Sequence, residues 1–352
     1  MEQLLFIGGI AVFIIVALLW GFRHLPGEKW QILATMPREN QGNGHWHGLN
    51  LTYYGLLSAN AYTFAVVIFF VLGASVNIPP LVLCVLVTTL LMVCMPAAKV
   101  VARIVEKKQD TLTVGGAVFV GTLTAPFLIW LINETLGESL GFQMNVTVVL
   151  SAICIAYAFG EGLGRLACVS FGCCYGKPLH QCSPWMQKCF GHFHFIFSGK
   201  TKKIAYASDL EGEKVIPIQI ITASLYSIAA LLGTWLFLNG FFALALVETL
   251  LVTQVWRIVS EFFRADFRGD FKITPYQLMA AGGSLYSMGI VILFPATQTL
   301  TQLGLGISHL WNPWMILGVQ LIWISAFLFT GKSSVTDSNI SFHVVNCSLS
   351  SD

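Results

Sequence analysis

The sequence predicts an all-α integral membrane protein, and three observations carry that reading. Apolar residues make up 56% of the 352-residue chain and charged residues only 10%, against about 25% charged in an ordinary soluble domain. A soluble fold of this length could bury a large core, but it would lack the charge to build a surface around it. The apolar residues also fall in continuous runs of about 20, the length that crosses a bilayer. Those runs do not alternate in short segments, as the strands of a membrane barrel do. The net charge is +2 with no basic domain or repeat, which gives nucleic-acid binding no support.

The runs, in order, are 3–22, 51–74, 78–101, 113–136, 146–170, 216–238, 241–263, 275–295 and 312–331, which makes about nine transmembrane helices. Leu4 to Leu19 could pass for a signal-peptide core. Glu2 precedes it, however, and Trp20-Gly21-Phe22-Arg23 follows in place of a small-residue cleavage site, so it reads as a retained helix. Tyr53-Tyr54-Gly55-Leu56 opens the second run, where aromatics are ordinary belt residues. Gly115-Gly116 near the start of the fourth is the kind of pair that permits close helix packing. Segment 171–215, between the fifth and sixth runs, is too long for a turn and too short for an independent domain, so it predicts a small extramembrane head. The sixth run enters through Pro217-Ile218-Gln219.

By this division, 1–50 is an extra N-terminal helix and loop, 51–295 the membrane core, and 296–332 an extra C-terminal helix. The Ser- and Asn-rich segment 333–352 reads as a disordered tail. Nine cysteines are scattered. Cys84, Cys94, Cys154 and Cys168 lie within apolar spans, where a thiol usually packs. Those of the head allow zinc, a disulfide or free thiols, with no C-x-x-C pair to favour metal.

Charge within the spans is concentrated. Gly164-Arg165 ends the fifth run and continues through a glycine-rich stretch to Gly176. An arginine at that depth is costly unless paired or facing a polar cavity, and its planar fork suits phosphate. The competing reading is an arginine snorkelling to the interface. In the seventh run, Arg257, Glu261 and Arg264 fall at spacings of four and three, one stripe of a helix. Two cations around one carboxylate could hold an anionic head group, or could simply form a ladder closing the helix. Glu134 and Glu161 also lie in or near spans, where packing or interface roles are commoner.

The order of these pieces resembles the prolipoprotein diacylglyceryl transferase family, from about Leu51 to Phe294. Gly164-Arg165 with the pattern to Gly176, and Arg257-x-x-x-Glu261-Phe262-x-Arg264, are the most specific parts. Tyr54-Gly55-Leu56, Gly115-Gly116 and Pro217-x-Gln219 fall in the family's order. The resemblance implies transfer of a diacylglyceryl group from phosphatidylglycerol, or another anionic phospholipid, to a thiol of a lipoprotein precursor. It implies a bacterial inner membrane, with no cofactor and no metal. By resemblance, Arg165, Arg257 and Glu261 are catalytic. Tyr54, Gly115, Gly116, Gly164, Gly176, Gln219 and Arg264 bind substrate.

Three departures stand out. Val114 replaces the histidine before the glycine pair, Cys168 an asparagine, and Cys173 a glutamate, as in a divergent Gly-Cys-Cys-Tyr-Gly branch. The alternative is therefore a non-catalytic protein of the same fold that binds anionic lipid; a transporter is weaker for want of an inverted repeat. The basic connections would place the N-terminus outside. The resemblance implies the reverse orientation, and many of the counted charges are themselves site candidates, so a cytoplasmic N-terminus is expected.

Overall fold

Spanning helices start and stop where the sequence supplies caps, and the computed structural model describes residues 1–107, 113–266, 273–296 and 299–342. Helix α1 (Glu2–His24) leads into a hairpin of β1 (Ile32–Gly42) and β2 (His45–Thr52). Asn43 and Gly44 make its turn at φ 52° and 77°, a pair of positive φ values that matches the twist of the flanking strands. Helix α2 (Tyr53–Ser75) starts at once, with the Thr52 side chain accepting from the Gly55 N–H. Next come α3 (Pro80–Glu106), α4 (Val114–Ile132) and α5 (Val146–Phe171). Thr113 and Asn145 cap the latter two, and α4 runs on through a π-helical turn at Asn133–Gly137.

The head follows, built from α6 (Pro184–Phe190), β3 (Phe195–Ile196), α7 (Lys203–Ser208) and β4 (Lys214–Val215), with β3 and β4 antiparallel. The chain re-enters with α8 (Ile218–Leu238), α9 (Phe242–Ser260) and α10 (Pro275–Leu293). It ends in α11 (Leu303–Leu310), α12 (Pro313–Thr330) and β5 (Lys332–Ser341). Among the described residues nine helices are long and apolar enough to cross a membrane. They match the nine runs read from the sequence, and the chain is an all-α, multi-pass membrane protein.

Helix α5 is the axis of the bundle, with α2, α8 and α9 packed against it. It is the most buried of the spans, whereas α12 lies almost wholly on the periphery. Gly162 of α5 lets α8 approach, since a Cβ there would sit 3.0 Å from the Ser227 Oγ. The head is tied down by Lys202. This fully buried side chain donates to the Ser170 carbonyl near the end of α5 (2.6 Å) and the Leu25 carbonyl beyond α1 (3.2 Å). Burial pulls its ammonium pKa down to about 8, partly opposed by Glu28.

Two expectations are corrected. The segment from 333 onward is not disordered throughout: β5 pairs antiparallel with β2 and completes a three-stranded sheet, β1-β2-β5. Buried Asn50 locks it, accepting from Thr35 and Ser338 hydroxyls (2.8 and 2.7 Å) and donating to Thr336 (3.1 Å). Residues 343–352 lie outside the described residues. Segment 296–332 also holds two helices rather than one, because Asn312-Pro313 ends α11 and starts α12.

Candidate functional site

Helix α5 carries Tyr157, Glu161 and Arg165 at successive spacings of four, so all three face one way. At about 1.5 Å per residue, Arg165 lies about 9 Å and Glu161 about 15 Å below the end of α5 at Phe171. Glu161 forms an ion pair with Arg165, and its Oε1 also lies 3.7 Å from the Arg257 Nη2 of α9. Arg257 donates a 2.7 Å hydrogen bond to the Tyr157 hydroxyl. Only 12% of each arginine side chain and 7% of Glu161 are exposed. The structure thus joins Arg165 and Arg257, and the acid between them is Glu161. The sequence did hold a signal for it, the i, i+4 spacing of Glu161 and Arg165.

The predicted stripe of Arg257, Glu261 and Arg264 does not form. α9 ends at Ser260, Glu261–Phe263 tightens into a 3-10 turn, and Arg264 is extended. Arg264 turns its fork onto Asp266, with Nε and Nη2 each 2.8 Å from a carboxylate oxygen. Burial alone would lower its pKa, but Asp266, Cys174 and Glu261 hold it well above the usual guanidinium value. Glu261 remains within electrostatic reach of both Arg257 and Arg264.

Backbone contacts gather the other predicted residues. Residues 175–177 lie antiparallel to 263–265. Lys177 N–H donates to Phe263 (2.9 Å), Ala265 N–H to Tyr175 (3.1 Å), and Gly176 bridges Arg264. Gly176 must be glycine because a Cβ would run into the Ile216 backbone. A Cβ on Gly115 would sit 2.9 Å from the Arg257 Nη1, so the first turn of α4 lies directly on that guanidinium. Gly116 instead packs on Val101, and Gly164 has room, with Ala61 3.9 Å from where its Cβ would be. Gln219 donates to the Cys173 carbonyl (2.9 Å), and Tyr54 packs edge-on against Phe171.

Three of the cysteines are gathered rather than scattered. Cys168, Cys173 and Cys174 stand together, and the Arg165 Nη1 is 3.9 Å from the Cys168 Sγ. Hydrogen bonds from the other two thiols, then Arg264 and Arg165, hold Cys174 well below the usual thiol pKa. Hydrogen bonding and burial push Cys173 up. Lys203 is half-buried, which by itself lowers its pKa, yet Cys173, Cys174 and Asp266 raise it.

The Nε groups of Arg165 and Arg257 and the Gln219 Oε1 have no protein partner although they are buried. Buried donors are nearly always satisfied, so two buried arginine donors left unspent mark a place for an anion. The surface concavities, at Arg38, His47 and Asp337 on the sheet and at His180 and Glu213 on the head, lie away from it. A family model described as prolipoprotein diacylglyceryl transferase matches residues 45–295. No curated protein matches the chain.

Proposed function

The chain belongs to the prolipoprotein diacylglyceryl transferase family, and on that premise we propose that it transfers a diacylglyceryl group from phosphatidylglycerol to a thiol of a lipoprotein precursor. The setting proposed is a bacterial inner membrane. The observation that carries this reading is the buried pair Arg165 and Arg257, sharing Glu161 and each keeping an unspent Nε. A phosphodiester between them accepts from both forks, and Glu161 keeps the two cations together when no lipid is bound. When the carbon–oxygen bond to phosphate breaks, charge grows on the leaving glycerol phosphate. Donors already fixed in a dry site stabilise that charge without reorganising. Glu261 tunes Arg257 and Arg264 from outside, and Tyr54, Gly115, Gly116, Gly164, Gly176, Gln219 and Arg264 shape the head-group chamber.

The test is incubation with labelled phosphatidylglycerol and a peptide carrying a lipoprotein acceptor cysteine. The expected result is labelled peptide and released glycerol phosphate, with Arg257→Ala and Arg165→Ala each losing roughly 100- to 1,000-fold in kcat/KM, as for removal of one such donor. A second reading is favoured by Val114, an apolar and 37% exposed side chain at the mouth of α4, where the family resemblance expects a histidine. On that reading the protein binds anionic lipid without turnover, and the same incubation would then give bound lipid with no product.

A further inference from the structure

The end of α5 is built to bring three thiols together. Gly172 sits at φ 70°, its N–H bonding to the Val169 carbonyl (3.2 Å), while Cys173 N–H bonds to the Cys168 carbonyl (3.0 Å). This is the Schellman arrangement, in which the residue after the glycine meets the one five positions earlier. Here both are cysteines, in contact where apolar side chains usually pack. Cys174 then takes φ 56°, a left-handed conformation that strains a non-glycine residue. It delivers a third thiol to the same point against that strain. All three Sγ atoms lie within 4.8 Å of one another. Gln219 fixes the turn through the Cys173 carbonyl. Arg165 acts on the thiols from within α5, and Arg264 and Lys203 from beyond the helix ends.

We propose that Cys168, Cys173 and Cys174 bind one zinc ion and leave its fourth position for the thiol of the acceptor. Zinc–thiolate bonds of about 2.3 Å put tetrahedral sulfurs about 3.8 Å apart, so the ligands close by about an ångström or less. Three protein ligands with an open position are the arrangement of catalytic rather than structural zinc. Soft thiolates select zinc or monovalent copper over hard ions, and zinc brings no redox chemistry to a reaction that needs none. The need is for a thiolate. A free thiol has a pKa of about 8.5, and a coordinated one is deprotonated outright.

The described histidines serve elsewhere. His24 is bonded to Trp20, His45 and His47 lie on β2, His180 faces Glu213, and His194 is bonded to Phe190. His192 is exposed on the head, and His309 lies in α11. In the step proposed, the acceptor S–H bond breaks as the zinc–sulfur bond forms, and the proton passes to water. The sulfur lone pair then forms the carbon–sulfur bond as the carbon–oxygen bond to phosphate breaks, its electrons leaving on glycerol phosphate. The thioether product is a weak ligand and departs. Arg165 joins the two halves, because one Nη meets Cys168 while its Nε is unspent toward the anion.

The zinc site stands on the thiols alone; its open position rests on the transfer reaction proposed above. The full-length chain, purified in detergent without chelator, is expected to hold about one zinc. The triple variant C168S/C173S/C174S is expected to hold none. Cobalt(II) loaded in place of zinc should show thiolate-to-metal charge-transfer bands. Its visible bands should shift on adding an acceptor peptide with cysteine, and not with serine at that position. Zinc content equal to that of the triple variant, or a disulfide joining two of these cysteines in the active protein, overturns the site. A cobalt spectrum indifferent to the cysteine peptide overturns the open position. Lipid transfer at full rate without zinc overturns the inference and leaves the transferase. A peptide-dependent cobalt spectrum without lipid transfer supports the inference and overturns the choice of donor.

Discussion

At the scale of single residues, the arginine pair depends on one carboxylate. Glu161→Gln leaves Arg165 and Arg257 facing each other with no anion, and an uncompensated buried charge costs about 3–5 kcal/mol. The expected outcome is a lower unfolding temperature in detergent, partly restored by added anionic lipid. Thermal melts with and without phosphatidylglycerol measure it. Lys202 gives a pH dependence. Its folded pKa of about 8 lies below the ordinary 10.5, so between those values the unfolded chain binds more protons. Stability therefore rises with pH from about 8 to about 10.5, by on the order of 3 kcal/mol in all, and is flat below. Lys202→Met should abolish that slope in melts across the range. Both arginines were legible in the sequence, since charge in an apolar run has few excuses. Glu161 had its own signal in the spacing of four to Arg165, but Glu261 lies closer in sequence to Arg257 and offers the same spacing, so the sequence did not say which acid joins the two arginines. Only the packing of α9 on α5 decides between them.

At the scale of elements, the site hangs on two helix ends. Gly115 at the start of α4 leaves the space that the Tyr276 ring and the Arg257 guanidinium fill. Gly115→Val should lower kcat/KM at least roughly tenfold by displacing that fork, as misplacement of a positioned group does. The new Cβ also meets the buried Tyr276 ring at 2.7 Å, so the melting temperature should fall too, and kcat/KM per folded molecule is the check. The sequence stripe of Arg257, Glu261 and Arg264 failed because it assumed that α9 continues. The tightening at Glu261–Phe263 breaks the period of 3.6 and rotates Arg264 toward Asp266. The hairpin could have been read, since Asn43-Gly44 between two extended segments is a strong turn signal. β5 could not, because its Ser- and Asn-rich composition says nothing of a partner on β2 hundreds of residues away.

At the scale of the whole molecule, the nine spans were legible because hydropathy and length are local properties. Orientation is not local in that sense. An odd number of spans puts the two termini on opposite sides, and the head, the sheet and the arginine site all belong to the face where α1 ends. The expected orientation has the N-terminus in the cytoplasm and the site outside. A reporter active on only one side of the membrane, fused to each end in turn, checks it; an external N-terminus would reverse the assignment. The sheet adds a condition of its own. β2 ends where α2 begins, and β5 begins just after α12. Of the nine candidate crossings among the described residues only α1 comes before β2, so eight lie between the two strands. Eight is even, and the strands meet on one side only if that parity is kept. A single helix that failed to insert during synthesis would strand β5 across the bilayer from its partner. The pairing of β5 with β2 thus reports on every crossing made after the hairpin.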